Sequence, residues 1–117
     1  MVLAGRSARS NEELTFGIAH PDELWFHAAG MAGAHVVLRQ PGSGISEGEE
    51  IQQAAAVAAY LSKARGSTAV EVHYCPRKNV RKIKAAPPGT VRIGQYQTIR
   101  VRPELPESEA DENGGPD

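Results

Sequence analysis

Residues 22–39, D-E-L-W-F-H-A-A-G-M-A-G-A-H-V-V-L-R, decide the fold of this chain. Two short runs of apolar, aromatic and β-branched residues, 24–29 and 34–39, flank the loop G-M-A-G at 30–33. Such runs separated by a short glycine-bounded loop predict a β-hairpin. We expect the rest of the chain to pack around this hairpin.

The hairpin also carries unusual polar chemistry. Side chains alternate between the two faces of a strand, so Trp25 and His27 share a face, and His35 can join them from the second strand. Asp22 lies at the mouth of the hairpin. Two imidazoles, an indole and a carboxylate exceed what a core hairpin requires. These four residues are therefore candidate functional residues on one common surface.

One segment is a convincing helix. The sequence S-E-G-E at 46–49 has the spacing of a capping box. From there to residue 64, apolar residues recur at intervals of three and four, which gives a single apolar stripe. The stripe is rich in alanine, which allows close approach to a sheet. We predict a helix over residues 47–64.

Alternating patterns outside the hairpin predict further strands. These strands are expected at 2–4, 14–19, 69–75, 91–93 and 98–102. The last two are expected to form a hairpin through residues 94–96. The result is an α+β fold, a mostly antiparallel sheet with one main helix packed on one face.

Length and charge divide the chain into two parts. A chain of 117 residues with 40% hydrophobic residues suits one domain, expected at 1–103. Residues 104–117 hold six acidic residues and no basic ones, which predicts a disordered acidic tail. Without that tail, the net charge rises from −1 to +5 (13 basic and 8 acidic residues). Localised positive charge suggests a polyanionic partner such as nucleic acid.

Residues 77–84 carry the strongest charge signal, with five cations in eight residues. Binding a phosphate backbone requires several positive charges within reach of one another. The alternative is a solvated surface segment. Trp25 leaves a similar choice open, because an indole can stack on a base or fill the core.

The polar residues of the hairpin and Cys75 could instead serve catalysis or bind a metal ion. Asp22 and His27, with His35, could form an acid–base site in an RNA-modifying enzyme, but no nucleophile or oxyanion motif accompanies them. Cys75 could be a nucleophile, since Arg77 and its neighbouring lysine would lower a thiol pKa. The spacing of the histidines and Cys75 matches no standard zinc pattern. We expect no metal and no cofactor.

The sequence favours a reducing compartment. A single cysteine excludes an internal disulfide. No apolar run approaches the roughly 20 residues of a membrane helix, and the N-terminus lacks the apolar core of a signal peptide. We expect a cytoplasmic protein without a membrane partner.

Four segments, in order, resemble the NFACT-R domain, the RNA-binding domain of the NFACT proteins, which include the ribosome quality-control tailing factors. They are G-R-S-A-R-S-N-E-E-L-T (5–15), the stretch 22–39, A-A-A-V-A-A-Y-L-S-K-A-R (54–65) and V-H-Y-C-P-R-K-N-V-R-K (72–82). The resemblance spans about residues 2–103. It implies RNA binding, with tRNA or ribosomal RNA and the large ribosomal subunit as expected partners.

Carried over by position, the resemblance implies a set of RNA-binding residues. The resemblance supplies Arg6, Asn11, Asp22, Trp25, His27, Gly33, His35, Lys63, Arg65, Lys78, Arg81 and Lys82, and the end of the basic segment adds Lys84. One departure is Ala34, where the family commonly has serine, so a hydroxyl contact there is lost.

A larger departure concerns size. Tailing factors carry an N-terminal domain, a helix-hairpin-helix segment and a coiled coil, and none of these fits in 117 residues. We therefore expect a stand-alone domain without tailing activity. As a third possibility, the acidic tail could cover the basic face of a protein-interaction subunit.

Overall fold

The computed structural model describes residues 1–39 and 46–105. The elements in chain order are β1 (Val2–Gly5), α1 (Ala8–Glu12), β2 (Leu24–Ala28), β3 (His35–Leu38), α2 (Glu47–Tyr60), β4 (Val70–Pro76), β5 (Val80–Lys82), β6 (Val91–Ile93) and β7 (Gln97–Val101). Five strands form one antiparallel sheet in the order β1-β3-β2-β4-β7, while β5 and β6 form a separate pair. The predicted α+β fold is confirmed.

The central hairpin is present as predicted. Strands β2 and β3 pair antiparallel, with Trp25 opposite Val37. The connecting loop contains Gly30, whose φ of 71° lies in the left-handed region that favours glycine. Strand β4 pairs with the other side of β2, so the hairpin occupies the middle of the sheet.

The sheet separates two cores. On one face, Phe26, Val36 and Val72 pack against the alanine-rich stripe of α2. On the other, Trp25 packs with Leu14 and with residues of β3, β4 and β5. Burying each large side chain contributes about 1.5–3 kcal/mol. The predicted alternation of faces along the hairpin is therefore correct.

The strand predicted at 14–19 is wrong. Helix α1 continues into a π-helical segment, Glu13–Ile18. Ser7 caps α1, since its hydroxyl accepts a hydrogen bond from the Ser10 backbone N–H at 3.1 Å. The β-favouring residues of the segment are overridden because Leu14 and Thr15 face the second core from a helix.

Helix α2 ends four residues earlier than predicted. Ser46 forms the expected capping box with Glu49. The helix stops at Tyr60 because the chain then turns, and Ser62 forms an isolated bridge with Gly33 in the hairpin loop. The Ser62 hydroxyl donates to the Ala59 carbonyl oxygen at 2.7 Å, which satisfies one of the last helical acceptors.

The predicted hairpin between β6 and β7 is also wrong. Strand β6 pairs with β5, and β7 pairs with β4 at the edge of the main sheet. Residues 77–82 of the basic segment form a 3₁₀ turn, Arg77–Asn79, followed by β5. The predicted acidic tail lies outside the described residues, apart from its first two.

Candidate nucleic-acid interface

A cleft of about 600 Å³ lies on the face of the sheet that carries α1. Residues from four segments far apart in sequence, 6–11, 31–35, 61–65 and 88–90, line it together with His27 of β2. The four segments correspond to the start of α1, the hairpin loop, the turn after α2 and the connection between β5 and β6. The sheet topology therefore gathers the glycine-arginine loop, the hairpin and the end of α2 in one place.

Three cations line this cleft, namely Arg6, Lys63 and Arg65, and all three are exposed. Arg65 is held in place because its Nε–H donates to the Tyr60 carbonyl oxygen at 2.8 Å, and its guanidinium lies 4.3 Å from the centre of the Tyr60 ring. Among the described residues that line the cleft, none is acidic. The cleft is thus an electropositive concavity suited to anions.

Asn11 connects α1 to the hairpin at the base of the cleft. Its Oδ1 accepts from the His35 backbone N–H at 3.0 Å, and its Nδ2 donates to the Gly33 carbonyl oxygen at 3.4 Å. Gly5 allows this approach, since a Cβ at that position would lie 2.6 Å from Asn11 Oδ1. The amide therefore fixes the hairpin loop relative to the cation-bearing loop before α1.

His35 forms part of the buried wall of the cleft. The Trp25 indole N–H donates to Thr15 Oγ1 at 3.0 Å, and that oxygen lies 2.8 Å from His35 Nδ1. Because Thr15 has one hydroxyl hydrogen to donate, this arrangement favours Nδ1 as the acceptor. Burial lowers the pKa of His35 to about 4. His35 is therefore neutral near pH 7 and offers hydrogen bonding rather than charge.

His27 extends the wall across the sheet. Its ring stacks on Trp25 with 5.9 Å between centroids and meets His35 edge-on at 5.6 Å. Burial, and then the nearby His73, lower the pKa of His27. The rings predicted to share one surface are indeed in contact.

The fourth wall, formed by residues 88–90, depends on Glu12. The carboxylate of Glu12 accepts from the Gly89 backbone N–H at 2.9 Å and pairs with Lys82 at 2.7 Å. These two contacts, the one with Lys82 first, lower the pKa of Glu12. Gly89 has φ of 84°, and a Cβ there would lie 3.1 Å from the Ala8 carbonyl oxygen. Neither Glu12 nor Gly89 was predicted as part of a site, and the glycine after two prolines was the signal that the sequence offered.

The cleft unites seven of the predicted RNA-binding residues. They are Arg6, Asn11, His27, Gly33, His35, Lys63 and Arg65. Six others lie elsewhere: Asp22, Trp25, Lys78, Arg81, Lys82 and Lys84.

Three of those six, Asp22, Lys78 and Lys82, are in ion pairs. Lys78 pairs with Asp22 at 3.3 Å at the surface, and Lys82 pairs with Glu12. Trp25 is only 1% exposed, so its indole fills the core and does not stack on a base. Arg81 and Lys84 are exposed on the segment next to the cleft wall.

The cysteine does not have the properties expected of a nucleophile. Cys75 is buried in the second core, and burial raises the pKa of its thiol to about 11. The prediction that neighbouring cations lower this pKa is wrong, because the thiol faces apolar side chains.

Within residues 1–39 and 46–105, no group of three or more His, Cys, Asp and Glu side chains is arranged to hold a metal ion. No helix in this part of the chain has the length and apolarity needed to cross a membrane.

Comparison with known proteins agrees with this geometry. Residues 1–95 match the family described as the NFACT protein RNA binding domain. The chain belongs to this family. It is 38% identical over 103 residues to the Rqc2 homolog RqcH of Bacillus subtilis and 38% identical over 104 residues to that of Streptococcus suis.

The NFACT family match covers most of this chain but little of those relatives. Each alignment covers 88% of the chain and 18% of the relative's length. A solved structure, the C-terminal part of the fibronectin/fibrinogen-binding protein from Streptococcus suis, superposes with a TM-score of 0.81 at 37% identity. It covers 95% of this chain and 43% of that one.

Proposed function

We propose that this domain binds structured RNA in the cleft between α1, the hairpin loop and the end of α2. The convergence of Arg6, Lys63 and Arg65, from two separate segments, on one concavity without acidic lining carries the proposal. Phosphate contacts supply most of the affinity of a protein for nucleic acid and fix its register. Family membership supports the same function.

The cleft combines charge with a neutral wall. The cations are positioned for phosphates, while the half-buried His27 offers hydrogen bonds to ribose hydroxyls or base edges, and the buried His35 supports this wall from behind. RNA is distinguished from DNA through such contacts to the 2′-hydroxyl. The non-catalytic reading is the better supported one, since Asp22 pairs with Lys78 outside the cleft.

The specific RNA that we propose is tRNA held at the large ribosomal subunit during ribosome quality control, in the cytoplasm. Similarity to RqcH supports this partner. Because the chain spans 18% of the length of those relatives, the proposal covers RNA binding and not the activity of a whole relative.

The test compares two triple variants that remove the same charge. Arg6→Gln/Lys63→Gln/Arg65→Gln empties the cleft of cations, and Arg92→Gln/Arg100→Gln/Arg102→Gln removes three exposed cations that do not line it. Affinity for a tRNA transcript is measured over a range of salt concentrations. We expect the cleft variant to lose at least about tenfold in affinity and to flatten the salt slope by about 2–3, as three phosphate contacts would require.

The matched variant separates site binding from bulk charge. The control triple variant should retain most of the affinity and most of the salt slope. Equal losses in both variants would show that RNA follows net charge alone, and the proposed cleft would be rejected. Circular dichroism confirms that each variant is folded.

A further inference from the structure

A second concavity, the Tyr96 notch, lies beside the end of β4. Strand β7 begins opposite Tyr74, so the last two residues of β4, Cys75 and Pro76, run past it. On their other side these two residues pair with β2. The notch that results has a volume of about 750 Å³ and is bordered by the connection between β6 and β7.

The aromatic ring at this notch is exposed and anchored. Tyr96 is 48% exposed, and its ring centroid lies 4.2 Å from that of His73. The connection that carries it is tied to Asn79, whose Nδ2 donates to the Gln95 carbonyl oxygen at 3.0 Å and whose own carbonyl accepts from the Gly94 N–H at 2.9 Å. The ring is thus presented on a held loop with an imidazole beside it.

The lining of the Tyr96 notch suits an uncharged, planar ligand. Leu24 and Pro76 contribute apolar surface, while Asn79, Gln95 and Gln97 contribute side-chain amides. Among the described residues, no acidic or basic side chain lines the notch. An aromatic face with amide donors and acceptors recognises a nucleobase by stacking and by its edge, whereas a phosphate would need cations.

Leu24 and Tyr74 line the Tyr96 notch from the face of the sheet that carries α2, and Tyr96 links its rim to the other face, where the rings beside the cationic cleft lie. His27 lines the cleft and lies directly opposite His73 on the neighbouring strand. Side chains paired in this way lie about 4.5–5.5 Å apart at Cβ. His73 in turn contacts Tyr96. A row of three rings therefore leads from the phosphate-binding surface to the notch.

We propose that the Tyr96 notch binds an unpaired nucleobase of the same RNA whose phosphates occupy the cleft. This inference rests on the proposed function and deepens it, since it names a strand end or loop nucleotide, rather than a continuous duplex, as the preferred substrate. Tyr96 stacks on the base, and the side-chain amides of Gln95 and Gln97 contact its edge, while Asn79 holds the loop and the Tyr74 hydroxyl donates to Gln97 Oε1 at 2.6 Å.

The experiment uses one RNA hairpin in two forms, with a blunt end and with a short single-stranded extension. Affinities are measured for the wild type, Tyr96→Ala, Tyr96→Phe and the cleft variant Arg6→Gln/Lys63→Gln/Arg65→Gln. We expect the wild type to prefer the extended hairpin. Tyr96→Ala should lose about tenfold for the extended form, as removal of a stacking ring does, and nothing for the blunt form. Tyr96→Phe should keep the preference.

The possible results of this experiment separate the base site in the notch from the proposed function of the cleft. If Tyr96→Ala leaves the preference intact while the cleft variant weakens binding, the notch is rejected and the proposed function stands. Equal losses for both RNA forms in Tyr96→Ala would also reject a base site. If the wild type binds neither RNA, both the proposed function and the notch fall. As a direct readout, a 4-thiouridine in the extension should crosslink to the peptide that contains Tyr96.

Discussion

The Glu12 carboxylate in α1 accepts a hydrogen bond from the backbone N–H of Gly89, 2.9 Å away in space and 77 residues away in sequence. The same carboxylate pairs with Lys82 at the end of β5. The small sheet β5–β6 is thereby tied to the N-terminal helix, and its connecting loop becomes a wall of the cleft. An acidic residue thus helps to build an electropositive site.

This relationship predicts that removing a negative charge weakens RNA binding. In Glu12→Gln the charged partner of Lys82 is lost, so the loop at 88–90 should open more often, and amide exchange at Gly89 should accelerate. Glu13→Gln is the matched control, because Glu13 is an exposed neighbour. Exchange at Gly89 is followed by NMR and affinity by titration with tRNA.

If the loop at 88–90 is needed for RNA binding, the two substitutions should change the affinity for RNA in different directions. Bulk electrostatics predicts slightly tighter RNA binding for both, since each becomes less negative. We expect tighter or equal binding for Glu13→Gln and weaker binding for Glu12→Gln. Tighter binding by both variants would contradict a structural role of Glu12.

A second prediction concerns the close approach of β1 to α1. A Cβ at Gly5 would lie 2.6 Å from Asn11 Oδ1 and 2.8 Å from the Asn11 backbone, so Gly5→Ala must displace the helix. We expect a loss of about 1–3 kcal/mol in the free energy of unfolding, the usual cost of overpacking. Gly17→Ala is the control, since nothing lies within 4 Å of its Cβ position. Urea unfolding of both variants decides, and similar stabilities would contradict the packing argument.

A third prediction addresses the buried Trp25–Thr15–His35 contact. Thr15→Val keeps the shape of the side chain but removes the acceptor of the indole N–H, which is fully buried. An unsatisfied buried donor costs about 1–3 kcal/mol, so urea unfolding should show a loss of that size. Thr98→Val, at an exposed position of β7, should change stability by less than about 0.5 kcal/mol. Equal effects would contradict the hydrogen-bonded role.

The predictable parts of the fold were those with local periodicity. Alternation along 24–28 and 35–38 and the capping box at Ser46 determine β2, β3 and the start of α2, and these lie where the sequence placed them, whereas α2 ends earlier than predicted. Helix α1 and the π-helical segment that follows it were missed because two of their inward-facing side chains, Asn11 and Thr15, are polar, so no apolar stripe marks them. Their polarity is explained by partners in β2 and β3, which local patterns do not contain.

The motifs of the chain predicted residues of the candidate site but not how they are arranged in space. Arg6, His27 and Arg65 could be selected by charge and resemblance, and the structure gathers them. The pairing of β5 with β6 was not predictable from a tight turn, because residues 83–90 separate the two strands. The basic segment 77–84 was predicted to bind RNA, whereas its Lys82 supports the cleft wall from outside through Glu12.

The last prediction follows from the low pKa of His35. Its value of about 4 in the folded protein lies below the ordinary 6.5 of an unfolded chain. Between these values the unfolded chain binds a proton that the folded chain does not, so stability falls as the pH falls from 6.5 towards 4. At about 1.4 kcal/mol per pKa unit, the free energy of unfolding should drop by about 2 kcal/mol between pH 7 and about pH 5.

Comparing the pH dependence of the free energy of unfolding between the wild type and a His35 variant isolates the contribution of this histidine. Burial and His73 lower the pKa of His27 as well, so that residue acts in the same direction. The carboxylates with lowered pKa, Glu12 and Glu23, lose their contribution only below their ordinary 4.5, outside the measured range. Urea unfolding of His35→Gln at both pH values should show a flatter dependence, whatever its absolute stability. Parallel slopes for the wild type and His35→Gln would contradict a buried neutral His35.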